Sequence, residues 1–376
     1  MVPTINNEIT QVSSEVNIWR VYPGTKHNFY KFFYGNYCVF LEVPGINMDL
    51  IELKSKKLII EKLAMSKAIA KWHLTDHHLR GSYPSTDHND YAFNIDMKSI
   101  GPSFANLERL YKTAKKGDII IVPQGNAYGS KLLIGEICSE FRDHDLISHA
   151  IFGDNKIPYR QIRWINCKHY RRNLSSSLYQ ELSGRRAVKP ISVEIFGQEI
   201  FRLAYGNFIS DQGSQYELYG KKYKNDSMSL IPGINVINFA LTVGAIIERG
   251  DLFLLEHLDY EELINHDIRL QGLENFEISF SSPGGFRIWH KNPRVLLSTL
   301  AVLSFIGGGG GAVAVKAFNT QGGTMKTNHS GIIDNNGNHI DTNKYEPAFE
   351  TLERRKHIKK KAETDYNIAR KNIGLK

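Results

Sequence analysis

Residues 117–123 read Gly-Asp-Ile-Ile-Ile-Val-Pro, and residues 134–137 read Ile-Gly-Glu-Ile. An apolar run launched from a Gly-Asp turn and stopped by a proline predicts a short, buried strand. Outward from it, Ile18–Tyr22, Tyr37–Val43, Leu132–Cys138 and Gln161–Ile165 are further apolar runs punctuated by Pro-Gly and Gly-Asn turns, and they predict strands. Met48–His73, rich in Lys, Leu, Ile and Ala, and Ser103–Lys115, which starts behind Pro102, predict helices. Short strands with a helical insertion predict a small barrel over residues 17–190, within an α+β chain.

The chain has 376 residues, 41% hydrophobic and 23% charged, which excludes a disordered or collagen-like protein and leaves room for two or three domains. Its net charge of +8 is unevenly spread. Residues 1–190 hold 26 basic and 18 acidic side chains, residues 191–294 hold 9 and 14, and residues 295–376 hold 12 and 7. The basic head suits a polyanionic partner such as nucleic acid. Cys38, Cys138 and Cys167 are too widely separated for a disulfide framework or a structural zinc site, so a reducing compartment is expected. Met1–Val16 has no apolar signal core, which leaves the first domain in the cytoplasm.

Val295–Val315 (VLLSTLAVLSFIGGGGGAVAV) carries no charge over 21 residues. At 1.5 Å per residue that reaches the roughly 30 Å of a bilayer core. Gly307, Gly308, Gly309, Gly310 and Gly311 would each cost about 1 kcal/mol in a water-exposed helix, but in lipid they read as a helix-to-helix or pore-facing strip of a homo-oligomer. The alternative is a buried core helix followed by a glycine linker; a phosphate loop is weaker because no Gly-Lys-Ser/Thr follows. A second apolar stretch, Leu230–Ile247, is interrupted by Pro232, Gly233, Asn235 and Asn238. One span is therefore expected, in the inner (cytoplasmic) membrane, with a sensor domain at 1–190, an acidic α+β middle domain at 191–294, the membrane segment at 295–315 and a basic tail with a terminal helix at 316–376. In the middle domain Ile191–Phe196, Gln198–Tyr205 and Phe276–Phe280 read as strands, the last turning through Ser282–Gly285 into Phe286–Trp289 as a hairpin. Leu252–Ile268 reads as an amphipathic helix on a core, and Pro347–Asn372 as a solvated or oligomeric helix.

Trp19-Arg20-Val21-Tyr22 places two aromatics around an arginine at a strand end, and Tyr159-Arg160-Gln161-Ile162-Arg163-Trp164 alternates basic and apolar residues, as a strand facing a polyanion would. With Tyr128, these aromatics offer a stacking surface for a splayed base at about 1–3 kcal/mol per stack; the alternative is that they pack a barrel core. The order of these segments resembles that of EVE and related PUA-like domains, small barrels that bind nucleic acid or modified bases. The resemblance covers residues 17–190 and departs from the family in the long 48–103 insertion. It implies a ligand pocket at Trp19, Arg20, Tyr22 and Trp164, with Arg160 and Arg163 beside it and Lys168, Arg171, Arg172, Arg185 and Arg186 on phosphates, while Tyr128 joins the ligand-binding set as a stacking ring. Those basic runs read equally as a solvated face.

A PUA-like domain joined to a membrane segment is similar in plan to Hailong-type membrane effectors of bacterial antiphage defence. That similarity implies a nucleotide or oligonucleotide signal, supplied by a partner enzyme, gating an oligomeric pore. The competing expectation is a soluble reader of modified or single-stranded nucleic acid, with Val295–Val315 in a core. No catalytic activity, cofactor or metal is expected. His73 and His77 stand at i, i+4 without a glutamate base or a third ligand, and no nucleophile elbow or phosphate loop occurs. A third expectation, a nuclease fused to the barrel, would use Glu194 and Glu199 near Lys221–Lys224.

Overall fold

Residues 15–204, and residues 205–376 together with 1–14, each close on a core of their own in a computed structural model of the chain. It describes residues 9–46, 55–93, 95–142, 144–184, 186–220, 230–279, 284–307, 332–333, 339–340 and 345–373. The division falls in neither place expected: residues 191–204 go with the first unit, and the apolar helix after residue 292 shares a core with the middle segment. The two-residue strand β1 (Thr10–Gln11) belongs to the second unit.

In the first unit β2 (Ile18–Val21), β3 (Cys38–Phe40), β4 (Ile119–Pro123), β5 (Leu132–Ile137), β6 (Leu146–Ile147), β7 (Ile157–Asn166) and β8 (Val188–Ile191) make one mixed sheet. Its order is β3-β7-β5-β4-β2-β8, with β6 beside β7 and only β2 and β4 parallel. Every residue of β4 is buried, as its continuous apolar run requires. The expected strands are all present, but the sheet is open and does not close into a barrel. Its two ends are poor partners: β3 has three residues, and β8 carries Pro190, which has no N–H to offer a further strand. Gly135 in β5 is required where Trp164 of β7 crosses, since a Cβ there would stand 2.7 Å from Trp164 Cε3 and 2.8 Å from the Arg163 carbonyl.

The helices of this unit are α1 (Tyr30–Asn36), α2 (Lys56–Leu74), α3 (Met97–Leu107), α4 (Ser176–Glu181) and α5 (Val193–Tyr205). Helix α2 buries Ile59, Ile60, Leu63, Ile69 and Ala70 and stops at Thr75, whose hydroxyl donates to the Lys71 carbonyl at 2.7 Å; residues 48–54 of the expected helix lie outside the described residues. Helix α3 begins ahead of Pro102, not behind it, because Asp96 caps it by accepting from Lys98 N at 3.1 Å. Residues 193–205 are one helix where two strands were expected. Ile200, Phe201, Leu203 and Ala204 are buried while Ile195 is exposed, and Ser192 Oγ accepts from Ile195 N at 3.2 Å at its start.

The second unit has a five-stranded sheet of order β1-β9-β10-β12-β11, adding β9 (Phe208–Ser210), β10 (Gly213–Gly220), β11 (Leu273–Ser279) and β12 (Gly284–His290). The last two are the expected hairpin. Its helices are α6 (Ile231–Arg249), α7 (Leu252–His257), α8 (Tyr260–Asn265), α9 (Pro293–Ile306), α10 (Glu346–Arg354) and α11 (Lys356–Ile373). Val236, Phe239, Val243 and Ile246 of α6 share a core with Leu296, Leu300 and Leu303 of α9 and with Ile358 and Tyr366 of α11. The helices approach closely at Gly244, where a Cβ would lie 2.8 Å from the Thr299 amide nitrogen.

This packing takes in the described part of both apolar stretches. The described helix that enters Val295–Val315 runs from Pro293 to Ile306, 14 residues, roughly 21 Å against the roughly 30 Å of a bilayer core, and Gly308–Val315 lie outside the described residues. Among the described residues α6 is the one helix long and apolar enough to cross a membrane, and 67% of its apolar window is buried within the unit.

Candidate nucleic-acid interface

Several residues expected to touch a ligand instead hold the first unit together. Trp19 is buried, and its Nε1 donates to Asp118 Oδ2 at 2.8 Å. The same carboxylate accepts from Asn17 N at 3.0 Å and Lys115 N at 2.9 Å, so the Gly-Asp turn is a clamp between strands. Arg20 is fully buried and donates to the Gly184 carbonyl at 2.7 Å, the Leu182 carbonyl at 3.4 Å and the Arg186 carbonyl. Arg160, also buried, donates to the carbonyls of Leu110, Ala114 and Ser139 at 3.1, 2.9 and 2.9 Å. Burial pulls both guanidiniums below their ordinary pKa. Arg171 is fully buried and donates to the carbonyls of Gly125 at 3.2 Å, Tyr179 at 3.0 Å and Leu182 at 3.5 Å and to Ser183 Oγ. Arginine suits this task because its fork donates to several carbonyls at once. Trp164 is half-buried and donates to the Phe33 carbonyl at 3.1 Å, while Arg163 pairs with Glu136. The pocket expected at Trp19, Arg20, Arg160 and Trp164 is therefore not assembled.

What the fold does gather is a surface of tyrosines and cations on the β4–β5 connection. Tyr22 and Tyr179 cover the buried arginines, with the Arg20 guanidinium carbon 4.6 Å from the Tyr22 ring centre and that of Arg171 4.4 Å from Tyr179. Arg172 lies 4.8 Å over Tyr170, with Lys131 Nζ at 6.0 Å. The connection is pinned at both sides: Tyr22 OH donates to Asn126 Oδ1 at 2.5 Å, Tyr179 OH to the Asn126 carbonyl at 2.9 Å. It presents Tyr128, 64% exposed, whose hydroxyl reaches the Arg172 carbonyl at 3.3 Å. Arg172, Lys168, Lys131 and Arg186 are exposed; Arg185 is outside the described residues. The His27 ring lies tilted with its centre 5.1 Å from that of Tyr22, its pKa lowered by burial and by the Arg171 charge.

Beside this surface lies a cavity of about 440 Å³, walled by Leu63, Ala70 and Leu74 of α2, by Ser103 and Asn106 around α3, and by Glu42 after β3. Helices α2 and α3 thus form two of its walls. Lys71 stands exposed at the rim, with no ion pair described, while Lys67 donates to Ser99 Oγ at 2.5 Å. The cavity and the tyrosine surface meet at the 22–27 turn, because Tyr22 N donates to the carbonyl of Ala187, a cavity wall, and Glu42 accepts from Thr25.

Sequence reasoning missed Glu42, Lys71, Tyr170, Tyr179 and Lys131. Tyr170 was visible inside the run read only for its charge; the others come together through long-range pairing that carries no local signal. His73 lies 3.3 Å from Asn155 Nδ2, which also donates to Tyr83 OH, and no group of three or more potential metal ligands occurs among the described residues. Glu199 accepts from Ser175 N and Oγ at 2.7 and 2.6 Å, a support for the start of α4, and Lys221–Lys224 lie outside the described residues. Gly307 ends α9 against Tyr366, and Gly308–Gly311 are not described. No family model, no curated protein and no solved structure matches the chain.

Proposed function

We propose that residues 15–204 are a non-catalytic recognition module for single-stranded or base-extruded nucleic acid, a PUA-like variant with an opened sheet. The observation that carries this reading is the tyrosine-and-cation surface. Tyr128 is displayed by a connection held rigid at Asn126, and Arg172 and Lys131 lie over Tyr170. Exposed rings give bases a sequence-tolerant platform, and the adjacent cations follow the backbone. The adjoining cavity accepts a splayed base. Fluorescence anisotropy with labelled single-stranded oligonucleotides at rising salt tests the proposal. Micromolar or tighter binding with a steep negative salt slope, weakened about 5–100-fold by Tyr128→Ala, is the expected result; salt-independent binding, or none, refutes it.

The length and apolarity of α6 favour a second reading, that of a homo-oligomeric inner-membrane effector of antiphage defence, gated by a nucleotide signal from a partner enzyme. It requires α6 to leave the core it shares with α9 and α11. Membrane fractionation with a C-terminal topology reporter separates the two, since recovery in the washed membrane pellet supports the effector and recovery in the supernatant removes it.

A further inference from the structure

Glu42 supplies the one carboxylate on the described cavity wall, and both of its oxygens are already engaged. Glu42 Oε1 accepts from Thr25 N at 2.9 Å and Oε2 from Thr25 Oγ1 at 2.9 Å, two side-by-side donors on one carboxylate. The turn that delivers them is strained. Lys26 and His27 sit consecutively at φ +55° and +59°, a left-handed conformation disfavoured for residues with a Cβ, and Gly24 at φ +74° has no room for one, since it would stand 2.2 Å from Phe29 Cδ2. The chain thus spends unfavourable backbone geometry to place a donor pair on the acid of the cavity wall. A side chain that merely needed satisfying could take water at such a half-buried position.

We propose that Glu42 is the specificity-determining residue of the cavity and that Thr25 occupies it in place of a ligand edge with two adjacent N–H donors, of which guanine is the nucleobase example. Binding then exchanges the Thr25 pair for the N1–H and N2–H donors of the base, and the 24–27 turn relaxes. Thymine and uracil present carbonyl oxygens on either side of one N–H and are repelled; hypoxanthine keeps N1–H but lacks the amino group. Lys71 at the rim is placed for the phosphate. The cavity volume of about 440 Å³ falls inside the roughly 300–1,000 Å³ typical of small-molecule sites. The inference rests on the nucleotide-reading function proposed above and assigns its base preference.

Calorimetric titration of the full chain with 5′-dGMP, 5′-dIMP and 5′-dTMP tests it. A preference of about tenfold or more for dGMP over the other two is expected, lost in Glu42→Gln. Thr25→Ala, which removes one competing donor, should raise dGMP affinity about two- to tenfold; the comparison of three nucleotides on the unaltered chain stands even if a variant fails to fold. Equal binding of the three, or a preference that survives Glu42→Gln, overturns the inference. If oligonucleotides bind the tyrosine surface and mononucleotides bind without preference or not at all, only the role of Glu42 falls. If neither binds, the nucleotide-reading function falls and the inference falls with it.

Discussion

Arg171 and Arg172 are neighbours in sequence with opposite tasks, and replacing each by alanine separates them. Arg171 is fully buried, and its removal deprives the carbonyls of Gly125, Tyr179 and Leu182 and the Ser183 hydroxyl of a charged donor. Each charged hydrogen bond contributes about 1.5–3 kcal/mol net, partly shared because Arg20 also reaches Leu182, so Arg171→Ala should cost about 3–5 kcal/mol. At about 2–4 °C per kcal/mol for a unit of this size, its melting temperature should fall by about 6–20 °C. Arg172 is exposed and touches Tyr170 from outside, so Arg172→Ala should change stability by less than about 0.5 kcal/mol and weaken oligonucleotide binding about 5–10-fold. Differential scanning fluorimetry beside anisotropy at one salt concentration reads both effects. An Arg171→Ala variant that melts with the parent yet no longer binds would refute the assignment of Arg171 to the fold.

Other outcomes follow from the packing. Gly135→Ala should destabilise the first unit by about 1–3 kcal/mol, because its Cβ meets the Arg163 carbonyl at 2.8 Å, whereas Gly129→Ala, with nothing within 4 Å, should be close to neutral in urea titrations. In the second unit Gly244→Ala should cost a similar amount at the α6–α9 crossing, and an unchanged midpoint would count against that contact. Burial lowers the pKa of His27, His73, His149 and His169, so the unfolded chain binds more protons as pH drops through about 6.5. Stability of the first unit should therefore be full above that value and decline toward pH 5.5; melting temperatures that rise over the same interval would contradict the sign.

The strands of the first sheet were legible because their residues report burial locally: Ile119–Val122 leave no polar face, and Gly135 marks the crossing of Trp164. Helix α5 was not, since Ile195 and Phe196 beside Ile200 and Phe201 fit strand and helix spacing alike until the Ser192 cap and the exposure of Ile195 decide. The arginines misled for a different reason. Arg20 finds its carbonyl partners more than 160 residues away, and nothing near it in sequence says that the carbonyls of Leu182, Gly184 and Arg186 will be its acceptors. The cavity is similarly non-local, joining Glu42, α2, α3 and Ala187. For Val295–Val315, composition alone left lipid and protein core as equivalent solvents; among the described residues, Val295–Ile306 share a core with α6 and α11.

The most direct measurement is ultraviolet cross-linking of a single-stranded oligonucleotide to the full chain, with the joined peptides identified by mass spectrometry. Cross-links at Tyr128, Tyr170 or Tyr179 are the expected result. Cross-links confined to the basic helix at Lys356–Ile373, with none between residues 124 and 179, would contradict the assignment of recognition to the first unit.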